Sequence, residues 1–431
     1  MIYIILAIFV LTYGLLIFRR IGGRSLPIWA SMVVGAILMV ATLSITPQAA
    51  FDSIDFRVIS FLFGMLVITT AFEKSGLIEF VVLSVLKSAR NTDRLLLGII
   101  FGAGLLSAFL VNDTIALLLT PMTLAIVSRT GMKNARALLM PLAFGVTTGS
   151  VFTPIGNPQN LLVALDSSMK RPFLEFSAYL LAPSLLSLLA VYYLSKLFFK
   201  RDLALSQPFE QTKASLADPK SAISDMALAK LSATILCLLI ISFAIVELFP
   251  GLQAVGLDLN TLAPAFGAIL LMASPKRSYL LVSLNWGVLI FFAGMFVVMR
   301  SVWDSGIGQI MLSALPTPIV SAKAQSIGSI MLNSVVLSQV LSNVPFVQLY
   351  SYEMTSLGFF TSSHAVAWLA LAAGSTLAGN LSLLGAVSNV IVVDAAETRN
   401  SKAFSFLEFL KYGTVMTVVT CLIFFFFLWL T

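Results

Sequence analysis

Charge is scarce in this chain. Only 10% of its 431 residues are Asp, Glu, Lys or Arg, while 59% are hydrophobic. A soluble domain carries about 25% charged residues, so a water-filled exterior is excluded and a polytopic α-helical membrane protein follows. Histidine occurs once, at His364, which excludes bis-imidazole haem and leaves an interfacial or structural role for that ring. The two cysteines, Cys237 and Cys421, fall in different apolar runs and suggest neither a disulfide framework nor a thiolate metal site. HExxH, a GxSxG elbow and a Walker loop are all missing, so nothing points to an enzyme, and no cofactor or metal is expected. The net charge of +7 reflects membrane topology more than a nucleic-acid partner.

What is present is a series of apolar runs interrupted by short polar clusters. The first run, Ile2 to Phe18, has no basic residue before it and no small-residue cleavage site after it, and reads as a first span. The only long hydrophilic segment, Lys200 to Lys230, divides the chain into a first repeat (1–199), a cytoplasmic linker (200–229) and a second repeat (230–431). The halves resemble each other. GAIL occurs at Gly35–Leu38 and at Gly267–Leu270, and FRVISFLFGMLVITTAFEKSGL (Phe56–Leu77) parallels WGVLIFFAGMFVVMRSVWDSGI (Trp286–Ile307). Asn112 then pairs with Asn343 and Asn160 with Asn389, all near one offset of about 230 residues, as expected of a duplicated secondary transporter.

Several runs are short for a span of about 20 residues. Leu95–Leu110 and Ile115–Val127 flank Asn112-Asp113-Thr114, which suits a re-entrant hairpin with its tip inside the membrane. Phe152–Asn160 (FTPIGNPQN) places two prolines and a glycine in nine residues and breaks a helix. Unwound backbone at that depth is tolerated only where it is buried in protein or lines a cavity. Gly76–Arg90 reads as an amphipathic interfacial helix, leaving five spans and a hairpin per half. That odd number inverts the second half. With the N-terminus outside, only Arg57, Lys170, Arg171, Arg300 and Lys323 of the 26 basic residues fall outside, in keeping with the positive-inside rule. The expected fold is therefore an all-α polytopic membrane protein. It has two inverted repeats of about five transmembrane helices, each with a re-entrant hairpin and a broken helix, and both termini outside.

Four clusters are expected to meet near the midplane: Asn112-Asp113-Thr114, Thr153 to Asn160 with Gly156 and Asn157, Ser342-Asn343, and Asn380 with Ser388-Asn389. A carboxylate at bilayer depth costs at least about 2.5–3.5 kcal/mol, so Asp113 is expected to face a wet cavity or a partner and to carry the coupling proton. The competing structural roles are a helix cap for Asp113, turn residues for Asn157 and Asn160, and back-bonding to helix carbonyls for Thr114, Thr153 and Ser388. No Lys or Arg stands in any cluster, which favours a neutral polyhydroxy solute or a monoanion over a dianion.

At these residues the chain resembles the ion transporter superfamily, which holds the ArsB arsenite efflux pumps, the divalent anion/sodium symporters and citrate–metal symporters. FLVNDTIALLLTPMTLAIV, TGSVFTPIGNPQNLLVAL and LSNVPFVQLY carry the likeness, which spans nearly the whole chain. The Asn112-Asp113 pair is closest to the ArsB branch. The tips differ from the Ser-Asn-Thr tips of sodium–dicarboxylate members, and LLGAVSN in the second half is not the usual ArsB wording. The resemblance implies an inner-membrane transporter of elevator or rocking type, often dimeric, with an ATPase subunit in some arsenite pumps. The expected activity is proton-coupled export of arsenite or antimonite. The alternatives are Na⁺- or H⁺-coupled transport of an inorganic or carboxylate anion, and cation/proton antiport with the cation on Asp113.

Overall fold

The computed structural model describes residues 1–431 except 19, 22–23, 131, 133, 204–217 and 400. The core of the expected linker, 204–217, therefore lies outside the described residues. Apart from a two-residue ladder pairing Arg20–Ile21 with Arg24–Ser25, the described chain is helical.

Among the described residues nine helices of the first half find a counterpart in the second, helix n corresponding to helix n+9, with further short helices at Pro47–Asp52, Pro250–Ala254 and Arg277–Ser283. The first half has α1 (Ile2–Phe18), α2 (Ile28–Ala41), α3 (Phe56–Ser75), α4 (Leu77–Ser88), α5 (Thr92–Phe109), α6 (Asn112–Thr130), α7 (Arg136–Gly149), α8 (Pro158–Asp166) and α9 (Pro172–Phe198). The second has α10 (Met226–Leu248), α11 (Leu259–Ala273), α12 (Trp286–Asp304), α13 (Ile307–Ser313), α14 (Lys323–Leu341), α15 (Asn343–Ser356), α16 (Ala365–Leu377), α17 (Val387–Glu397) and α18 (Phe406–Leu430). Among the described residues, seven helices are long and apolar enough to cross a membrane: α3, α5, α9, α10, α12, α14 and α18. The shorter apolar helices are α1, α2, α7 and α11.

Two of the seven are first arms of hairpins. They are longer than the apolar runs suggest because polar residues extend them. Asn91 Oδ1 accepts from Arg94 N–H at 2.9 Å and starts α5 three residues before the apolar stretch. The amphipathic segment is α4, which carries Glu79 exposed and packs beside α3, α5 and α6.

The repeat is written into the packing. Helix α3 packs on α11 and α12 packs on α2, so each half lends a helix to the other. The duplicated Gly-Met steps show why. A Cβ on Gly64 would stand 2.3 Å from Ala263 O, and one on Gly294 would stand 3.0 Å from Met32 O. Both glycines let a helix pass backbone-close to its partner at corresponding places, the small-residue packing of membrane helices. Hairpin arm α6 packs against α17, and α15 against α8, which again crosses the halves. Arg136 pairs with Asp202, just past α9, at 3.0 Å and ties the first half to the second through Glu408 at 2.5 Å.

Candidate functional site

The two hairpin tips differ in backbone. In the first half, Leu110 and Val111 link α5 to α6, and Asn112 Oδ1 accepts from Asp113 N–H at 2.9 Å. In the second, a single residue, Ser342, links α14 to α15 with φ 63° and ψ 161°. A side chain at positive φ carries strain of about 1–3 kcal/mol, held only where the surroundings enforce it. Ser342 therefore sits at the tightest point of the hairpin, with no side-chain cap on the first N–H groups of α15.

The broken helices are clipped by asparagine. After α7 the chain passes through a 3₁₀ turn, Ser150–Phe152, and an extended Thr153 before α8 begins. Asn160 Nδ2 donates to Ser150 O, Val151 O and Thr153 O at 3.1, 2.9 and 3.0 Å, gathering the loose carbonyls of the broken end. Asn157 caps α8 by accepting from Asn160 N–H at 2.9 Å. Thr153 Oγ1 donates to Ala108 O and accepts from Gly156 N–H at 3.1 Å. Gly156 has no room for a Cβ, which would stand 2.5 Å from Ser150 O. In the second half Asn389 Nδ2 repeats the clip on Gly379 O at 2.5 Å and Ser382 O at 3.3 Å, while Asn380 Nδ2 donates to Thr148 Oγ1 at 3.1 Å. No asparagine caps α17, whose N-cap position is Ala386.

One cavity of about 250 Å³ gathers both tips. Asn112, Asp113, Ser342 and Asn343 line it, together with the starts of α8 (Pro158, Gln159) and α17 (Ala386, Val387). The opposite wall is formed by Ile28 and Trp29 of α2 and by Asn285, Gly287, Phe291 and Phe292 at the start of α12. None of the described lining residues is basic. Asn343 is buried, and its Oδ1 has no partner. Two uncapped helix N-termini, of α15 and α17, open onto the same space, where N–H groups and helix dipoles favour an acceptor oxygen.

The expected site thus divides. Asn112, Asp113, Ser342 and Asn343 come together at the cavity. Thr114, Thr153, Gly156, Asn157, Asn160, Asn380, Ser388 and Asn389 are not among its lining; the asparagine Nδ2 groups hold the broken helices, while Oδ1 of Asn380 and of Asn389 has no partner. Gln159 and Asn285 were not singled out from the sequence, although both line the cavity. Gln159 belongs to the same GNPQN loop and lines the cavity with Pro158, while its Nε2 donates to Thr376 Oγ1 at 3.4 Å.

Two repeated units, exchanged helices and a shared cavity at paired broken helices define a membrane transporter. A family model described as Citrate transporter matches residues 13–374, and the chain belongs to that family, within the superfamily that its hairpin motifs resemble. It is 26% identical over 439 residues to the 46 kDa membrane protein of Mycobacterium leprae, covering 99% of this chain and 98% of that one. It is 28% identical over 443 residues to the silicon efflux transporter LSI3 of Oryza sativa subsp. japonica, covering 90% of each. Among solved structures, Neisseria gonorrhoeae MtrF, described as illuminating a class of antimetabolite efflux pumps, has a similar fold. It superposes with a TM-score of 0.58 at 13% identity, over 98% of this chain and 94% of MtrF.

Proposed function

We propose that this chain exports a small, uncharged oxyacid across the inner membrane, arsenite or antimonite being the substrates it fits best, in exchange for protons carried by Asp113. The observation that supports this most directly is the lining of the cavity: amide and hydroxyl side chains from both tips, one carboxylate, and no basic residue among those described. At neutral pH arsenite is largely a neutral trihydroxy acid. It can donate to Asp113 and to the Asn343 Oδ1 and accept from amide and backbone N–H groups. No thiol lies on the lining, so the solute is held by hydrogen bonds. The similarity to a silicon efflux transporter supports export as the direction of transport. In this reading residues 1–199 and 230–431 are the two repeats, 200–229 is a cytoplasmic linker, and both termini lie outside.

A second reading has a specific observation in its favour. The matched family is described as citrate transporters, and the uncapped starts of α15 and α17 offer N–H groups to a carboxylate. Under this reading Na⁺ or a proton accompanies the anion and offsets Asp113. Everted vesicles separate the two. The first predicts arsenite uptake that a protonophore abolishes; citrate uptake that competes with no oxyacid would replace it with the second.

A further inference from the structure

The walls of the cavity differ in symmetry. The wall of tips and broken helices draws matched positions from both halves, Asn112 with Asn343 and the start of α8 with the start of α17. Exchanging the halves turns this wall onto itself. The other wall is one-sided, built only from the starts of α2 and α12.

The repeat names the missing counterpart. Along FRVISFLFGM and WGVLIFFAGM, Gly287, Val288, Phe291 and Phe292 correspond to Arg57, Val58, Phe61 and Leu62. Along the two GAIL segments, Ile28 and Trp29 correspond to Asn260 and Thr261. The correspondence holds in the packing to within one residue, since Gly64 meets α11 at the Ala263–Pro264 peptide as Gly294 meets α2 at the Met32–Val33 peptide. Arg57 and Asn260 do not line the tip cavity. They line a separate one of about 280 Å³.

A chain of inverted repeats reaches its opposite-facing state when each half takes up the arrangement the other has now, because the two arrangements differ little in energy. We infer that in this second state the same tips face the starts of α3 and α11, and that Arg57 stands where Gly287 stands here, bringing a guanidinium to the bound solute. Asp55 accompanies it in the place of Asn285. The site is therefore uncharged on one wall when open to one side, and carries an Asp–Arg pair on that wall when open to the other. In the present state Arg57 is held in reserve, bonded to Asp55 at 2.6 Å and 3.9 Å from Asp166 at the end of α8. Moving the tips to it requires α8 to leave that contact. Arg57 is then a specificity residue for one side only, offering a planar fork of donors to oxyacid oxygens.

The inference rests on the cavity being the transport site, but its test needs no substrate. In a background with Cys237 and Cys421 replaced by serine, two cysteine pairs report the second state, Arg57→Cys with Thr114→Cys and Asn260→Cys with Pro158→Cys. A third pair, Val288→Cys with Pro345→Cys, reports the state seen here. A short bis-maleimide applied to membranes is expected to join all three. The Asn260/Pro158 pair keeps Arg57 intact, so it reads the state even where Arg57→Cys does not fold. Linking of the third pair with neither of the first two overturns the inference. Linking of all three, with no arsenite transport by the protein that carries none of these cysteine pairs, upholds it and removes the substrate reading instead.

Discussion

Thr376 Oγ1 donates to Asn160 Oδ1 at 3.0 Å, across 216 residues, and so joins the broken helix of one half to that of the other. Asn157 Nδ2 and Gln159 Nε2 lie 3.2 and 3.4 Å from the same hydroxyl oxygen. Asn389, the counterpart of Asn160, has no partner for its Oδ1. The two breaks are alike in their clips and unlike in their anchoring.

Replacing Thr376 by valine keeps the shape and removes the hydroxyl. Asn160 Oδ1 is then a buried acceptor without a partner, which costs about 1–3 kcal/mol. Thermal unfolding of purified Thr376→Val in detergent is expected to show a lowered midpoint, whereas Ser388→Ala, whose hydroxyl has no partner here, is expected to unfold close to wild type.

The duplicated glycines give a ranked pair. A Cβ on Gly64 meets Ala263 O at 2.3 Å and Pro264 N at 2.6 Å, all backbone, while one on Gly294 meets Met32 O at 3.0 Å. Overpacking of this kind costs about 1–3 kcal/mol. Gly64→Ala should destabilise more than Gly294→Ala, measured as the fraction of folded protein recovered from membranes on heating.

Glu247 caps another helix. Its two carboxylate oxygens accept from Phe173 N–H and Leu174 N–H, each at 2.8 Å, and so satisfy the start of α9. Loss of a cap costs about 0.5–2 kcal/mol. Glu247→Ala should lower the unfolding midpoint, and Glu247→Gln, which keeps one acceptor oxygen, should lower it less.

Asp225 starts α10 and titrates below the usual carboxylate range, because Leu228 N–H binds its charged form and Lys276 pairs with it at 2.6 Å. A depressed pKa contributes stability that is present above the unfolded-state value, about 3.9, and is lost as pH falls through the folded value. Asp225→Asn should therefore be less stable than wild type at neutral pH, and the gap should close in acid below about pH 4.

Much of this architecture was legible in the residues. The offset between FRVISFLFGM and WGVLIFFAGM locates the exchanged helices, and Asn112 and Asn343 mark both tips. The direction of each polar side chain was not. Asn157, Gln159 and Asn160 carry the same chemistry and all three reach Thr376 Oγ1, but only Gln159 also lines the cavity. Thr376 could not be found at all from its surroundings, since its partners lie in the other half. Trp29 and Asn285 escaped because they sit at helix starts outside every polar cluster. The polar first turns of α5 and α14 hid the full length of both hairpin arms.

Asp113, at the joint tip cavity, is proposed to couple proton movement to export of a neutral oxyacid. Arsenite uptake into everted vesicles under an imposed pH gradient, compared between wild type and Asp113→Asn of equal folded amount, tests it most directly. The account predicts uptake in the wild type that collapses with a protonophore, and none driven by the gradient in the variant. Gradient-driven uptake of wild-type size in Asp113→Asn would contradict it.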